Sequence, residues 1–141
     1  MKMKSVILNL SILVLLVISF SCNSVNNKEE KSEVINTGNE KVEAFYFHAT
    51  RRCATCEAVE GVAKAYIEEN YTNEVSFILI NRENEENNAL VEKFEITGQT
   101  LLIVLGDKVV DLTTEAFMNA RTNPEKLKDL IKSTNDPLLT I

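Results

Sequence analysis

The chain has 141 residues, 45% of them hydrophobic, and a formal net charge of −6. Residues 1–21 hold only Lys2 and Lys4 as charged residues, so the remaining 120 residues carry 13 basic and 21 acidic side chains, a charge of −8. That length suits one small domain and excludes two. An acid excess of this size argues against nucleic acid as a partner.

The N-terminus has the pattern of an export signal. MKMK is a short basic leader, and residues 5–20 are apolar except for Ser and Asn, over a length that is short for a transmembrane helix. Ser19 and Ser21 precede Cys22, which resembles the lipobox of bacterial lipoproteins. We therefore predict a lipoprotein signal peptide (1–21), lipidation of Cys22, and a protein exported to the bacterial cell envelope and anchored by lipid, on its periplasmic side. An uncleaved anchor or an ordinary signal peptide with a free cysteine is the alternative.

Residues 22–41 are polar and charged and show no periodicity, which predicts a disordered tether between the membrane and the domain. From Val42 the pattern becomes that of a folded domain. VEAFYF (42–47) is a short apolar strand, followed by the loop HATRR.

A helix is predicted from about Cys53 to Tyr71. Its apolar residues recur at helical spacing and draw one stripe: Val59, Val62, Ala63, Tyr66 and Ile67. Cys56 lies three residues before Val59 and falls on the buried stripe, whereas Cys53 lies at the helix N-terminus.

The remaining elements complete one domain. VSFILIN (75–81) is a strand too continuously apolar to be an edge strand with one wet face. A shorter helix over 84–94 and two strands of a hairpin, 100–105 and 109–112, follow it. Thr113 or Thr114 is available to cap a short helix through Ala120. Asn123 and Pro124 then open a last helix. The domain is predicted to span 42–134, with 135–141 as a C-terminal tail.

A strand that leads into a C-x-x-C at the start of a helix, followed by β-α-β-β-α, resembles the thioredoxin arrangement. The resemblance implies an α/β fold, a three-layer α/β/α sandwich with a central mixed sheet of about four strands. YFHATRRCATC and DLTTEAFMNARTNPEKL resemble more closely the small thioredoxin-like family of bacterial lipoproteins labelled nitrophenyl compound nitroreductase subunit, the ArsF type. That label implies a redox role beside a protein partner. No flavin signature is visible in the sequence.

The chemistry of the cysteine pair follows from its place on the helix. A helix N-terminus presents unpaired N–H groups and a partial positive charge, which favour the thiolate of Cys53, and Arg51 and Arg52 add positive charge nearby. Cys53 is therefore the predicted nucleophile. Cys56, one turn on and more buried, is placed to resolve the mixed disulfide. The prediction is a thiol–disulfide oxidoreductase or redox partner subunit whose redox group is the Cys53–Cys56 disulfide, with no other cofactor.

Three alternatives remain open at this point. A permanent disulfide at this spacing closes a very small loop and stabilises a fold little. A metal ion is a second possibility: zinc, with Cys53, Cys56 and His48 as the donors on offer, or a cuprous ion on the two thiolates. A subunit that uses the fold only to dock is the third.

The chain departs from the thioredoxin pattern at three positions. Thr100 stands where thioredoxins have the cis-proline that faces the disulfide. Phe47 stands six residues before the first cysteine, where they bury an aspartate, and Arg52 replaces the usual tryptophan. The resemblance thus implies an altered surface for docking a partner, with Thr100 as a supporting site residue.

Overall fold

The computed structural model describes residues 41–141. The predicted signal peptide, Cys22 and residues 22–40 of the predicted tether lie outside the described residues. Lys41 is exposed and directly precedes the first strand. Among the helices of residues 41–141, none has both the length and the apolar character needed to cross a bilayer.

The described chain forms a four-stranded mixed sheet with helices on both faces. The elements are β1 (Val42–His48), α1 (Ala54–Asn70), β2 (Val75–Asn81), a 3₁₀ turn (Glu85–Asn87) that continues into α2 (Asn88–Lys93), β3 (Thr100–Leu105), β4 (Lys108–Asp111), α3 (Thr113–Asn119) and α4 (Pro124–Leu139). The strand order is β2-β1-β3-β4. β1 is parallel to β2 and antiparallel to β3, and β3 pairs with β4 as a hairpin. The predicted thioredoxin-like α/β fold is confirmed.

Two hydrophobic cores, one on each face, define the three layers. The larger core packs α1, α3 and α4 against the sheet, and the smaller core packs α2 and the residues after it against the other face. Successive strand residues face opposite sides. Tyr46 therefore lies in the layer of α1, while Phe45 and Phe47 lie in the layer of α2.

The helix ends were predicted with mixed success. Asn123 caps α4 as predicted, since its side chain accepts a hydrogen bond from the Lys126 N–H at 3.3 Å and Pro124 follows it. The prediction that Thr113 or Thr114 caps α3 is wrong. Leu112 precedes that helix, and the Thr113 hydroxyl instead accepts from the Leu101 N–H at 3.0 Å.

β2 lies at an edge of the described sheet, so the prediction that VSFILIN is not an edge strand is wrong. Val75 and Ile80 are buried from opposite faces, whereas Leu79 is 41% exposed. Its continuous apolar sequence reflects helices packed on both faces of the sheet. Helices can cover both faces of a strand that has a neighbouring strand on only one side, so an apolar sequence does not exclude an edge position.

The predicted C-terminal tail is also corrected, because α4 continues to Leu139 and buries Asn135 and Leu138. Leu138 extends the apolar face on which Leu127 and Ile131 lie. Residues 135–141 were predicted to form a tail outside the domain. Pro137 is close enough to the end of the helix that its missing N–H removes little of the backbone ladder.

Candidate functional site

The cysteine pair lies at the start of α1, after the loop that connects this helix to β1. Cys53 is the N-cap of α1, with an extended backbone, and its sulfur accepts a hydrogen bond from the Cys56 N–H at 3.3 Å. Cys53 and Cys56 form a disulfide with a Cα–Cα distance of 5.1 Å. Cys53 is exposed, while Cys56 is only 1% exposed. The predicted positions of the two cysteines, one accessible and one on the buried stripe, are both confirmed.

The loop before the pair is held by hydrogen bonds to residues at the end of β2 and just after it. The Thr50 N–H donates to the Glu83 carboxylate at 2.9 Å, and the Asn81 side-chain amide donates to the Thr50 hydroxyl at 3.1 Å. The hydrogen bond from Thr50 lowers the pKa of Glu83, because the charged form of the carboxylate accepts it. The loop between His48 and Cys53 is therefore held at a defined place above the sheet.

Tyr46, on β1, forms a hydrogen bond with the first turn of α1. Its hydroxyl lies 3.0 Å from the carbonyl oxygen of Cys56, to which it donates, and 3.3 Å from the Gln99 Oε1. Burial raises the pKa of Tyr46 to about 12, with the negative charge of Glu60 adding to the shift and Arg52 opposing it. Tyr46 is therefore a neutral donor that ties the helix start to the sheet and to the segment before β3.

Arg52 is bound within the site. Its guanidinium forms an ion pair with Glu60, one turn beyond Cys56 on α1, and its Nη2 lies 3.1 Å from the Nε2 of His48. His48 is buried, and its Nδ1 lies 2.9 Å from the Ala49 carbonyl, which only accepts hydrogen bonds. These contacts place the proton of His48 on Nδ1 and leave Nε2 to accept from Arg52.

The supporting residues predicted from sequence differ in their surroundings. Arg51 is exposed, whereas Arg52 is half-buried by its two partners. No hydrogen bond among the described residues joins either arginine to a cysteine sulfur, so their effect on the thiolate stays a prediction. Thr100 is the first residue of β3 and pairs with Phe47, and its hydroxyl donates to the Gly98 carbonyl at 3.3 Å. Its role beside the disulfide also stays a prediction.

The donor set does not fit a zinc site, and the two sulfurs of the cuprous alternative are joined in a disulfide. His48 was the expected third ligand, but one of its ring nitrogens contacts the Ala49 carbonyl and the other faces the Arg52 guanidinium. A cation at that place would meet a fixed positive charge. Across residues 41–141, no group of three or more His, Cys, Asp and Glu side chains has the geometry of a metal site.

Three residues of the site escaped the sequence analysis. Glu60 carries a detectable signal, because it lies four residues after Cys56 and so on the same side of the helix. Tyr46 carries a weaker one, as a side chain with a polar hydroxyl group within the apolar run of β1. Gln99 carries none, since its contact with Tyr46 joins residues 53 positions apart.

Comparisons with known proteins show similarity only at the level of solved structures. No protein-family model matches the chain, and no curated protein is a significant match. The germline-specific thioredoxin Deadhead of Drosophila melanogaster is 18% identical, with a TM-score of 0.49, and the match covers 67% of this chain and 82% of that one. Mitochondrial thioredoxin 3 of Saccharomyces cerevisiae, in its oxidised form, is also 18% identical, with a TM-score of 0.45 and coverage of 67% and 80%.

Proposed function

We propose that this protein is a lipid-anchored thiol–disulfide oxidoreductase, or the redox subunit of a partner protein, in the bacterial cell envelope. The observation that carries the redox proposal is the pairing of an exposed N-cap Cys53 with a buried Cys56 in one disulfide. A purely structural disulfide needs no accessible sulfur at a helix N-terminus. The fixed loop and the Tyr46 hydrogen bond pre-position that sulfur.

The chemistry is an exchange of two electrons. In the reduced protein, the Cys53 thiolate attacks one sulfur of a partner disulfide, forms a mixed disulfide and releases the first partner thiolate. The Cys56 thiolate then attacks the Cys53 sulfur, closes the Cys53–Cys56 disulfide and releases the second partner thiolate. The partner gains two electrons and two protons, and the protein dithiol loses them. The reverse sequence oxidises a partner dithiol.

A trapping experiment tests this function. In Cys56→Ser, attack by Cys53 proceeds but resolution does not, so a mixed disulfide with the partner accumulates and is released by reductant. Cys53→Ser is the matched control and traps nothing. If both variants trap equally, the assignment of Cys53 as the attacking sulfur is wrong. If neither traps and the wild-type pair does not cycle between disulfide and dithiol, the fold serves only for docking.

The anchor is a separate part of the proposal and rests on the resemblance of the segment before Cys22 to a lipobox. The wild-type protein is expected to partition into the detergent phase after lipid processing, and Cys22→Ser is expected to lose this behaviour. Mass spectrometry of the N-terminal peptide identifies the lipid. A wild-type protein with a free Cys22 in the aqueous phase contradicts the anchor without affecting the trapping result.

Membership of the ArsF-type family is the finer part of the proposal. The similarity of YFHATRRCATC and DLTTEAFMNARTNPEKL to that family supports a dedicated protein partner over a broad range of substrates. Identification of the protein trapped by Cys56→Ser tests this directly. A single dominant partner agrees with a subunit role, and many unrelated partners disagree with it.

A further inference from the structure

Within residues 41–141, the outer side of β2 is an unprotected sheet edge. No strand formed by residues 41–141 pairs with it there. Its seven residues, VSFILIN, contain no charged residue and no proline. Proteins usually protect an edge of this length with charges, proline or a bulge, because its free N–H and C=O groups pair readily with another strand. β2 is therefore suited to accept a further strand.

A hydrogen bond at the end of β2 shows which backbone groups face outward. The Arg82 N–H donates to the His48 carbonyl of β1 at 2.9 Å, so the backbone of residue 82 faces β1. Backbone groups alternate between the two sides along a strand. The groups of Ile78 therefore also face β1, and those of Phe77 and Leu79 face the open edge.

Two of the outward groups already have partners. The Val75 N–H donates to the Tyr71 carbonyl at 3.1 Å, and the Asn81 carbonyl accepts from the Asn87 side-chain amide at 2.9 Å. Among the described hydrogen bonds, this leaves the Val75 carbonyl, the Asn81 N–H and both backbone groups of Phe77 and Leu79 free at the edge.

We propose that β2 pairs with β2 of a second copy of this chain, antiparallel and about a two-fold axis at Ile78. In this register, Phe77 of one copy exchanges both hydrogen bonds with Leu79 of the other. The free Val75 carbonyl of one copy accepts from the free Asn81 N–H of the other. The Val75 N–H and the Asn81 carbonyl, which already have partners within their own copy, face each other. Every free edge group gains a partner. With an axis at Phe77, the Leu79 carbonyl would face the Val75 N–H, which is already bound to Tyr71. With an axis at Leu79, the Phe77 N–H would face the Asn81 carbonyl, which is already bound to Asn87.

The charges beside β2 favour the same pairing. Glu74 directly precedes the strand and Arg82 directly follows it. An antiparallel pair centred on Ile78 brings Glu74 of each copy opposite Arg82 of the other, whereas a parallel pair in matching register brings like charges together. The Arg82 side chain is 30% exposed, and its Nη2 is 3.8 Å from Glu83, near the upper limit for an ion pair. Arg82 is thus available for a second carboxylate.

Cysteine cross-linking of the full chain tests the register. On the axis, the two copies of position 78 form a non-hydrogen-bonded pair with Cα atoms about 4.5 Å apart, within the range of a disulfide. Ile78→Cys should therefore form a disulfide-linked dimer under mild oxidation. Leu79→Cys is the control, because its two copies lie diagonally, about 7 to 8 Å apart. Leu79 is the more exposed side chain, so random collision predicts the opposite order.

Mass spectrometry must locate the cross-link at position 78, and the unsubstituted chain gives the background from the resident cysteines. Stronger cross-linking at position 78 than at position 79 supports the register. Equal cross-linking, none, or more at position 79 overturns it.

A charge exchange tests the pairing without cysteine chemistry. Glu74→Arg should raise the dissociation constant of the dimer, measured by sedimentation, about tenfold, because it replaces two attractive pairs by two repulsive ones. Adding Arg82→Glu should restore it. Asp129→Arg makes the same charge change on α4 and should leave it unaltered. A monomer at all concentrations overturns the proposal, as does a dimer indifferent to these substitutions.

Hydrogen exchange distinguishes a second copy from coverage by the chain's own N-terminal residues. The amides of Phe77 and Leu79 should become protected as protein concentration rises. Protection that is independent of concentration means that the same chain covers the edge, and absence of protection means that nothing does. Either result overturns the proposal.

Discussion

Replacing Glu60 by glutamine removes the counter-charge of Arg52 with little change in side-chain size. Seven residues along α1 separate Cys53 from Glu60, which places them about 10 Å apart at 1.5 Å per residue. A unit charge at that distance changes the free energy of the thiolate by about 0.4 kcal/mol at the dielectric constant of water and about 1.7 kcal/mol at an effective value of 20. At low ionic strength the midpoint for alkylation of Cys53 should therefore fall by about 0.3 to 1.2 pH units, and by less in physiological salt, whose screening length of about 8 Å is shorter than this distance.

The assay is the rate of iodoacetamide alkylation of the reduced protein against pH, with each cysteine followed by mass spectrometry. Glu68→Gln is the control, because it makes the same charge change two turns further along α1, well beyond the screening length of about 8 Å in physiological salt. Arg52→Gln should shift the midpoint in the opposite direction. An unchanged or higher midpoint in Glu60→Gln refutes the idea that the Arg52–Glu60 pair acts on the Cys53 thiolate.

Three further outcomes follow from the packing. Tyr46→Phe should lower the free energy of unfolding by about 1 kcal/mol in urea titrations, because it removes a buried hydrogen bond to the first turn of α1, while Tyr66→Phe should have a smaller effect. Ala63→Asp should abolish cooperative unfolding by circular dichroism, since it buries an unpaired charge, whereas Ala65→Asp on the exposed side of α1 should fold. The pKa of Asp136 is lowered by hydrogen bonds from a lysine ammonium and a tyrosine hydroxyl, so its stabilising effect is present above the ordinary aspartate pKa and is lost as pH falls through the lowered value. Asp136→Asn should therefore destabilise the protein at pH 7 and make little difference near pH 2.

The elements that the sequence predicts well are those whose signals are local. The periodic stripe on α1 placed Cys56 inside and Cys53 at the helix start, and the Asn123–Pro124 pair marked the start of α4. Both patterns depend on neighbours within one or two helical turns. Sheet position is different, because β2 has an apolar sequence whether or not a second strand lies beside it.

The two wrong predictions of helix ends, the start of α3 and the end of α4, have a similar cause. Thr113 is an acceptable helix cap by its chemistry, but the backbone of Leu101 on β3 captures its hydroxyl. Leu138 is buried because α4 packs against the sheet, although 135–141 was predicted to be a tail. In each case a contact between distant parts of the chain decides the outcome, and no short window of sequence contains it.

The site shows why spacing from a motif does not assign a role to a side chain. Phe47 stands six residues before Cys53, but it faces the layer of α2, away from the buried cysteine. The β1 side chains on the cysteine side that lie nearest to Phe47 are Tyr46 and His48, one residue to either side. Assigning the role of the buried aspartate to the residue six positions before Cys53 therefore selects a side chain on the wrong face of the strand.

The titratable groups on that face are all engaged in the oxidised protein. Tyr46 is held neutral by its raised pKa and donates to the Cys56 carbonyl, and His48 has partners at both ring nitrogens. On α1, Arg52 binds Glu60, whereas Glu57 in the first turn has no ion-pair partner among residues 41–141. His48 or Glu60 would therefore have to give up a contact before it could accept a proton from Cys56, and Glu57 would not. Because the Arg52–Glu60 pair is more exposed than the Tyr46 and His48 contacts, its opening should cost least. If Cys56 resolves a mixed disulfide, we therefore expect Glu60→Gln to change the rate of that step more than Glu68→Gln does.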